Sequence, residues 1–408
     1  MDGFFDFVRK TKYNAAYPAV FTAFALIAVY LVSMLNFSAF DALKESASSA
    51  MNVIFSASLC VFCVYRFCKS AKKAVSAICA YLCGDTLLFA AVGAHFSLLF
   101  GVVLTLLFCL ILRKTDLLIG YIFVLSVCVL VALLFIAVYE VYTLALQSLA
   151  DALKGRGAAF GVFDNVTRLL FGDYFNSLFY HKSYSVTTIL DGKLVSGAAD
   201  IFNSSDKPTD STSEFLTGRY FATIFIPFGV FAAIFKRMKD ETVFAFLFAF
   251  LLSAVFGNEM LFYLMLFLVS PLLYVGSLIV IYISFAVCSF VDIRIGFKNL
   301  PDIFSLFRNM DKPVYFLLIG IVVSLMTYFL CRLIAAKFDL LSSDELPRDV
   351  KRLVTYLGGR ENILKVSDGI VTVSNPNLID ILHVDCDIHE NKVELYPDDF
   401  ELINRLPD

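Results

Sequence analysis

Residues 117–147 read LLIGYIFVLSVCVLVALLFIAVYEVYTLALQ, with Glu140 as the single charged side chain. About 20 apolar residues in a helix cross the roughly 30 Å hydrocarbon core of a bilayer, so this run is long enough to span one. Further apolar runs lie at 17–36, 51–67, 74–94, 96–112, 216–235, 243–257, 260–290 and 314–336. The pattern predicts an all-α polytopic membrane protein with about ten transmembrane helices.

The composition of the 408 residues leads to the same class. Hydrophobic residues make up 59% and charged residues 17%, with a mean hydropathy of +0.79. A soluble domain has about 45–50% apolar residues and about 25% charged residues. These values exclude a soluble globular enzyme, a disordered protein and a secreted disulfide scaffold. The net charge of −3 gives no reason to expect a nucleic-acid partner, and the lipid bilayer is the expected surrounding.

Basic residues cluster between the apolar runs. Clusters lie at 9–12, 66–73 and 113–114, and two crossings separate each from the next. Because positive residues favour the cytoplasmic side, all three clusters and the N-terminus are predicted to be cytoplasmic. The cations within 294–312 fit this alternation poorly. Either that segment folds into the protein, or the span count there is off by one.

The stretch 148–217 lacks a clean apolar run. Residues 158–180 are apolar but are interrupted by Asp164, Asn165, Arg168 and Asp173. One interpretation is a re-entrant or broken helix lining a cavity, where polar backbone and side chains are tolerated. The other is an amphipathic segment in the membrane interface. Asp85 and Glu140 also lie in apolar runs, where acids are candidates for function, for pairing, or for a position at the membrane edge.

The composition changes abruptly at Leu340. Residues 347–357 have a helical pattern that ends at Gly358-Gly359, and 369–374 and 392–396 alternate as strands do. We therefore expect two domains, a transmembrane domain at 1–340 and a small α+β cytoplasmic domain at 341–408.

Three segments resemble a known family. Residues 214–220, EFLTGRY, and residues 257–274, GNEMLFYLMLFLVSPLLY, are similar to motifs of enzyme IIC, the membrane subunit of the glucose superfamily of the bacterial phosphoenolpyruvate:sugar phosphotransferase system. Residues 350–363, VKRLVTYLGGRENI, are similar to the start of that family's IIB domain. The order implies a fused IICB-type permease, a homodimer in the bacterial plasma membrane with both termini cytoplasmic.

The resemblance also shows departures from the family. The family's IIB domain carries a phosphoryl group on a cysteine where this chain has Gly369, and Cys386 lies well beyond that position. The histidine pair of the IIC sugar site is replaced at Asp173-Tyr-Phe175. The chain is therefore expected to be a diverged relative without its own phosphocysteine. Whether it takes part in an enzymatic phosphotransfer is left open, and phosphorylation would depend on separate IIA and IIB proteins.

The candidate substrate-binding residues are Glu259, Asn258, Asp173, Asn176 and Arg168. Glu259 follows a glycine break beside a short apolar run and lies near the family's first glutamate, so it is expected to accept hydrogen bonds from sugar hydroxyls. The alternative is a solvated turn residue. Asp173 and Asn176 are expected to bind hydroxyls, and Arg168 either does so or forms an i, i+4 ion pair with Asp164. The sequence gives no catalytic, metal or cofactor motif.

Two functions follow as hypotheses. The first is a phosphotransferase-type sugar permease that works by alternating access. The second is a catalytically inactive relative that acts as a membrane sensor or scaffold. The retained Gly257, Pro271 and Arg168 favour the first, whereas the lost histidines and cysteine favour the second.

Overall fold

The computed structural model describes most of the chain. It covers residues 14–33, 38–153, 156–172, 180, 187–190, 192–205, 210–235, 240–297, 300–309, 312–338, 353–359, 362–367, 370–380, 386–389 and 391–395. The chain divides into two compact units, Met1–Leu341 and Ser342–Asp408.

The first unit is almost entirely helical. Its helices are α1 Ala16–Ser33, α2 Ser38–Cys68, α3 Ala71–Val92, α4 Leu98–Lys114, α5 Leu117–Ala152, α6 Gly157–Phe171, α7 Ala198–Ser205, α8 Asp210–Tyr220, α9 Ile226–Ile234, α10 Asp240–Phe256, α11 Met260–Val269, α12 Pro271–Val291, α13 Ile303–Asn309 and α14 Pro313–Phe338. A π-helical segment, Phe221–Phe225, joins α8 to α9. An antiparallel hairpin, β1 Thr187–Leu190 with β2 Lys193–Ser196, precedes α7.

Six of the described helical segments are long and apolar enough to cross a membrane. They are Ala50–Cys68, Ala71–Val92, Leu117–Ala145, Phe215–Ile234, Pro271–Val291 and Pro313–Ala336. Shorter apolar helices occupy Ala16–Tyr30, Thr242–Phe256 and Met260–Val269. The architecture is that of a helical bundle compatible with a polytopic membrane protein.

The apolar run at 260–290 is two helices rather than one. Ser270 separates α11 from α12 in an extended conformation, with φ −159° and ψ 111°, and its hydroxyl accepts a hydrogen bond from the Leu273 amide. Pro271 then begins α12, where its missing N–H costs nothing. Hydropathy does not register this break because the residues on both sides are apolar.

The hairpin of α3 and α4 brings two basic clusters to one end. The Nζ of Lys73 donates hydrogen bonds to the carbonyl oxygens of Leu112 and Thr115, the latter at 2.9 Å. Lys73 at the start of α3 therefore lies beside Arg113 and Lys114, the last residues of α4. Two antiparallel crossings explain this arrangement.

Two glycines let three helices approach closely at the centre of the first unit. A β-carbon added at Gly161 of α6 would lie 2.5 Å from a ring carbon of Phe285 of α12. One added at Gly218 of α8 would lie 2.4 Å from the same ring. The Phe285 ring thus occupies space that a side chain at either glycine would need. This packing brings the polar residues of α6 and α8 close together.

The second unit contains a four-stranded antiparallel sheet of order β3-β4-β6-β5, made from Ile363–Ser367, Ile370–Val373, Lys392–Leu395 and Cys386–His389. Leu353, Leu357, Val371, Val373 and Val393 form its core. Residues 353–356 are helical. Gly358 and Gly359 end that helix with φ of 90° and 92°. The strands expected at 369–374 and 392–396 correspond to β4 and β6, while Gly369 lies outside the described residues.

Candidate functional site

Four charged side chains meet in the interior of the first unit. Asp164, Arg168, Arg219 and Glu259 are each at most 4% exposed. Among the residues that the structure describes, the two carboxylates balance the two guanidinium groups. Buried charges persist only when they are paired and hydrogen-bonded, and we call this set the charge cluster.

Helix α6 contributes Asp164 and Arg168. Its buried face includes Gly161, Asp164, Asn165 and Arg168, which recur at helical spacing. With 15 residues the helix is about 22 Å long, shorter than the hydrocarbon core. An amphipathic interfacial segment would turn its polar face towards water. The structure instead has that face inside the bundle.

A tight turn before α11 positions Glu259. Gly257 has φ of 73°, a left-handed conformation that favours glycine. A β-carbon there would also lie 2.7 Å from the backbone carbon of Pro301. The Oε1 atom of Glu259 accepts hydrogen bonds from Arg168 Nη1 at 2.5 Å and from Arg219 Nη2 at 2.9 Å. Glu259 is therefore an ion-paired interior carboxylate, not a solvated turn residue.

Arg219 lies at the end of α8, just before the π-helical segment. Its Nε lies 3.7 Å from Asp164 Oδ2. Its guanidinium carbon lies 5.3 Å from the ring centre of Tyr180 and 5.2 Å from that of Phe297. The two rings are 6.2 Å apart and tilted by 56°, so they form an aromatic corner beneath the cation. Such contacts stabilise a desolvated guanidinium.

Arg219 is the site residue that the sequence analysis did not select. It stands in the stretch Thr217-Gly-Arg-Tyr220 on which the family resemblance rests, and that was one available signal. Arg219 is also the single charged side chain of the apolar run 216–235, a signal that the sequence analysis did not use. Its partners, Glu259 and Asp164, come from distant parts of the chain and have no pattern in the sequence.

An extended strap, residues 293–297, lies against α8. Thr217 Oγ1 accepts a hydrogen bond from the Ile295 amide at 2.9 Å and lies 3.1 Å from the carbonyl oxygens of Ile293 and Ile295. Tyr220 donates to the carbonyl of Gly296 at 3.0 Å. Of the two explanations for the cations in 294–312, the structure agrees with a segment folded into the protein.

Asn258 is the most unusual polar residue beside the cluster. Its side chain is fully buried, and neither amide atom makes a hydrogen bond within the part of the chain that the structure describes. A buried amide without partners costs about 1–3 kcal/mol, and native proteins keep few of them. A group with both donors and acceptors would satisfy it.

The structure brings three of the five predicted residues together. Glu259 and Asn258 are neighbours, and Arg168 contacts Glu259. Asp173 and Asn176 lie outside the described residues. Among those described, no three His, Cys, Asp or Glu side chains are arranged to hold a metal ion.

A second polar cluster joins α3 to the loop before α4. Asp85 is buried, and its Oδ2 lies 2.7 Å from His95 Nδ1. Its Oδ1 accepts a hydrogen bond from the Phe96 amide at 2.9 Å. Glu140, the other acid in an apolar run, is exposed on α5.

No model of a protein family matches the chain, and no curated protein matches it significantly.

Proposed function

We propose that the protein is a sugar permease of the type represented by enzyme IIC, moving its substrate across the bacterial plasma membrane by alternating access. Two observations carry the proposal: the charge cluster, and the buried amide of Asn258, the residue before Glu259, which makes no hydrogen bond within the described residues. In this proposal the first unit has about ten spans and a re-entrant segment formed by α6. Both termini are cytoplasmic and the protein is a homodimer.

The balance of charge among the described residues of the cluster favours an uncharged ligand. An anionic ligand would add a negative charge to two carboxylates, and a cation would add to two guanidinium groups. Either would leave a buried charge uncompensated, which is costly. A sugar brings hydroxyl groups that donate and accept hydrogen bonds without adding charge.

The polar atoms of the cluster suit hydroxyl groups. Glu259 accepts hydrogen bonds, the two arginines donate them, and the Asn258 amide does both. A polar site of this kind discriminates against ligands that lack the matching groups, because its own buried groups then stay unpaired. Binding at a break between short helices within the membrane is also the arrangement common to many transporters.

Phosphorylation of the sugar has no acceptor cysteine at position 369 in this chain. We propose that separate IIA and IIB proteins supply the phosphoryl group, if the transported sugar is phosphorylated. A membrane sensor or scaffold without transport is the alternative, and the missing cysteine is the observation that favours it.

The test is a sugar-binding screen by thermal shift on the purified full-length protein, with Asn258→Leu as the diagnostic variant. A ligand at a hundredfold excess over its Kd raises stability by about 2.7 kcal/mol. We expect one sugar to raise the melting temperature of the wild type. Replacing an amide that has no described partner with an apolar side chain of similar size leaves the unliganded protein at least as stable, while the sugar-induced shift disappears.

Two further variants make the result specific. Asn165→Leu is the matched control. The amide oxygen of Asn165 accepts a hydrogen bond from Tyr274 at 3.0 Å, so the loss of that hydrogen bond lowers the stability of the unliganded protein. Glu259→Gln is expected to abolish the shift as well. Absence of a shift with every hexose, hexosamine and disaccharide would overturn the permease proposal in favour of the sensor. Uptake of the same sugar into proteoliposomes completes the test.

A further inference from the structure

Arg219 is held from two sides by different parts of the chain. On one side Glu259 accepts its hydrogen bond at 2.9 Å. On the other side lies the aromatic corner of Tyr180 and Phe297. Phe297 itself is 1% exposed and stands at the end of the strap. The cation that pairs with the proposed ligand-binding carboxylate therefore rests on a ring supplied by the strap.

The strap is fixed to the same helical turn that carries Arg219. Thr217 and Tyr220, on either side of Arg219, bond to the strap backbone at Ile295 and Gly296. The Phe202 ring of α7 also packs against the strap, so closely that a β-carbon at Gly296 would lie 2.4 Å from it. The strap thus contacts both α8 and α7, and these contacts fix the position of Phe297 relative to Arg219.

We propose that Phe297 is a positioning residue for the ligand site. It acts through Arg219, by holding the guanidinium in the orientation that shares it between Glu259 and Asp164. The inference rests on the proposed function in so far as a sugar binds at Glu259. The placement of Arg219 by Phe297 can be measured without any sugar.

The physical reason is the freedom of the arginine side chain. An arginine has several rotatable bonds and loses rotamer entropy when it is held in one orientation, and one hydrogen bond with a 3.7 Å ion pair does not fix its plane. A ring face against the guanidinium adds a cation–π attraction that is stronger in a desolvated site. Loss of the ring lets Arg219 leave Glu259, and the carboxylate then lacks the orientation that a ligand needs.

The experiment measures how fast phenylglyoxal, a reagent for guanidinium groups, modifies Arg219 in the purified full-length protein, read by mass spectrometry. We compare the wild type with Phe297→Leu, which removes the ring, and Phe297→Tyr, which keeps it. Phe246→Leu is the matched control, because Phe246 is also fully buried and its described ring contact is with Phe262.

We expect Arg219 to react about tenfold faster in Phe297→Leu, the order of one cation–π contact. Phe297→Tyr and Phe246→Leu are expected to react at the wild-type rate. An unchanged rate in Phe297→Leu would overturn the proposal. An equal increase in Phe246→Leu would also overturn it, since general loosening of the bundle would then explain the result.

Sugar affinity separates this inference from the proposed function. If a sugar binds, we expect its Kd to rise about tenfold in Phe297→Leu and to return to the wild-type value in Phe297→Tyr. Faster labelling of Arg219 without binding of any sugar would refute the permease and leave the positioning role standing. Sugar binding that is indifferent to Phe297, with unchanged labelling, would refute the positioning role and leave the permease standing.

Discussion

Glu259 and Asp85 are both buried carboxylates, but the chain satisfies them in different ways. Asp85 takes its partners from the adjoining loop, His95 and the Phe96 amide, 10 and 11 residues away. Glu259 takes Arg168 and Arg219, which lie 91 and 40 residues away in the sequence. The first arrangement closes a helical hairpin, and the second assembles three elements of the fold around one oxygen atom.

The difference indicates which of the two acids is the better candidate for contact with the proposed ligand. A local pair satisfies a helix end at little cost, because its partners are ordered by the same turn. In a cluster of four interior charges, each group loses its hydration, which is unfavourable. A protein with apolar residues of the same size at these positions is often as stable or more stable. Stability alone therefore does not account for the charge cluster, and the polar ligand that we propose would give a reason for it.

The largest expected effect separates the two acids directly. Glu259→Ala removes the carboxylate that Arg168 and Arg219 share in the interior, so we expect a loss of about 3–5 kcal/mol in unfolding free energy. Asp85→Ala leaves one amide and one histidine nitrogen unsatisfied, which costs about 1–3 kcal/mol. Denaturant titration of both variants in the same detergent measures the difference. Equal losses would break the comparison, since the long-range cluster would then cost no more than the local pair.

The second prediction removes a whole ion pair instead of half of one. Glu259→Met combined with Arg168→Met leaves Asp164 and Arg219 in balance, and apolar side chains fill the space. We expect this double variant to recover at least about 2 kcal/mol of the loss in Glu259→Met alone. It is also expected to bind no sugar in the thermal-shift screen. A double variant that is no more stable than the single one would contradict the role of charge balance.

Most helices of the fold can be predicted from the sequence because a membrane span is a local property of about 20 residues. The break at Ser270 was missed because both flanks are apolar and Pro271 is its sole marker. The turn at Gly257 was detected because a polar glycine segment interrupts an apolar run. In each case the signal lies within the residues that form the element.

The charge cluster was predicted in part, for the same physical reason. Glu259 and Arg168 stand out as ionised residues in apolar surroundings, which is expensive in the membrane. Arg219 is likewise the single charged side chain of the apolar run 216–235, but nothing local indicates its partners. Phe297 does not stand out, because its importance comes from contacts with residues far along the chain. The ion pair of Arg168 with a residue 91 positions away likewise has no local pattern.

The third prediction concerns the packing that brings the cluster together. Gly218→Ala would drive a β-carbon to 2.4 Å from ring carbons of Phe285, a rigid group on α12. We expect a loss of about 1–3 kcal/mol, the usual cost of overpacking. The matched control, Gly120→Ala on α5, meets side-chain ends of Thr115 and Leu112 that can move aside. A larger loss in Gly120→Ala would show that the space for the Phe285 ring is not the tighter constraint.

The smallest expected effect is at a carboxylate outside the interior. Asp292 follows α12 at φ of 52°, and its side chain is 59% exposed. Its hydrogen bond from Arg294 is the main cause that lowers its pKa, and the nearby charges of Arg294 and Lys312 add to it. A lowered pKa in the folded state contributes stability at neutral pH that is lost as the pH falls through that pKa.

Asp292→Asn keeps a residue type that tolerates this backbone conformation, and exposed pairs are screened by water and salt. We therefore expect its melting temperature at neutral pH to fall least of all these variants, with the difference shrinking further in high salt. A fall as large as that of Asp85→Ala would mean that burial does not set the cost of a carboxylate in this protein.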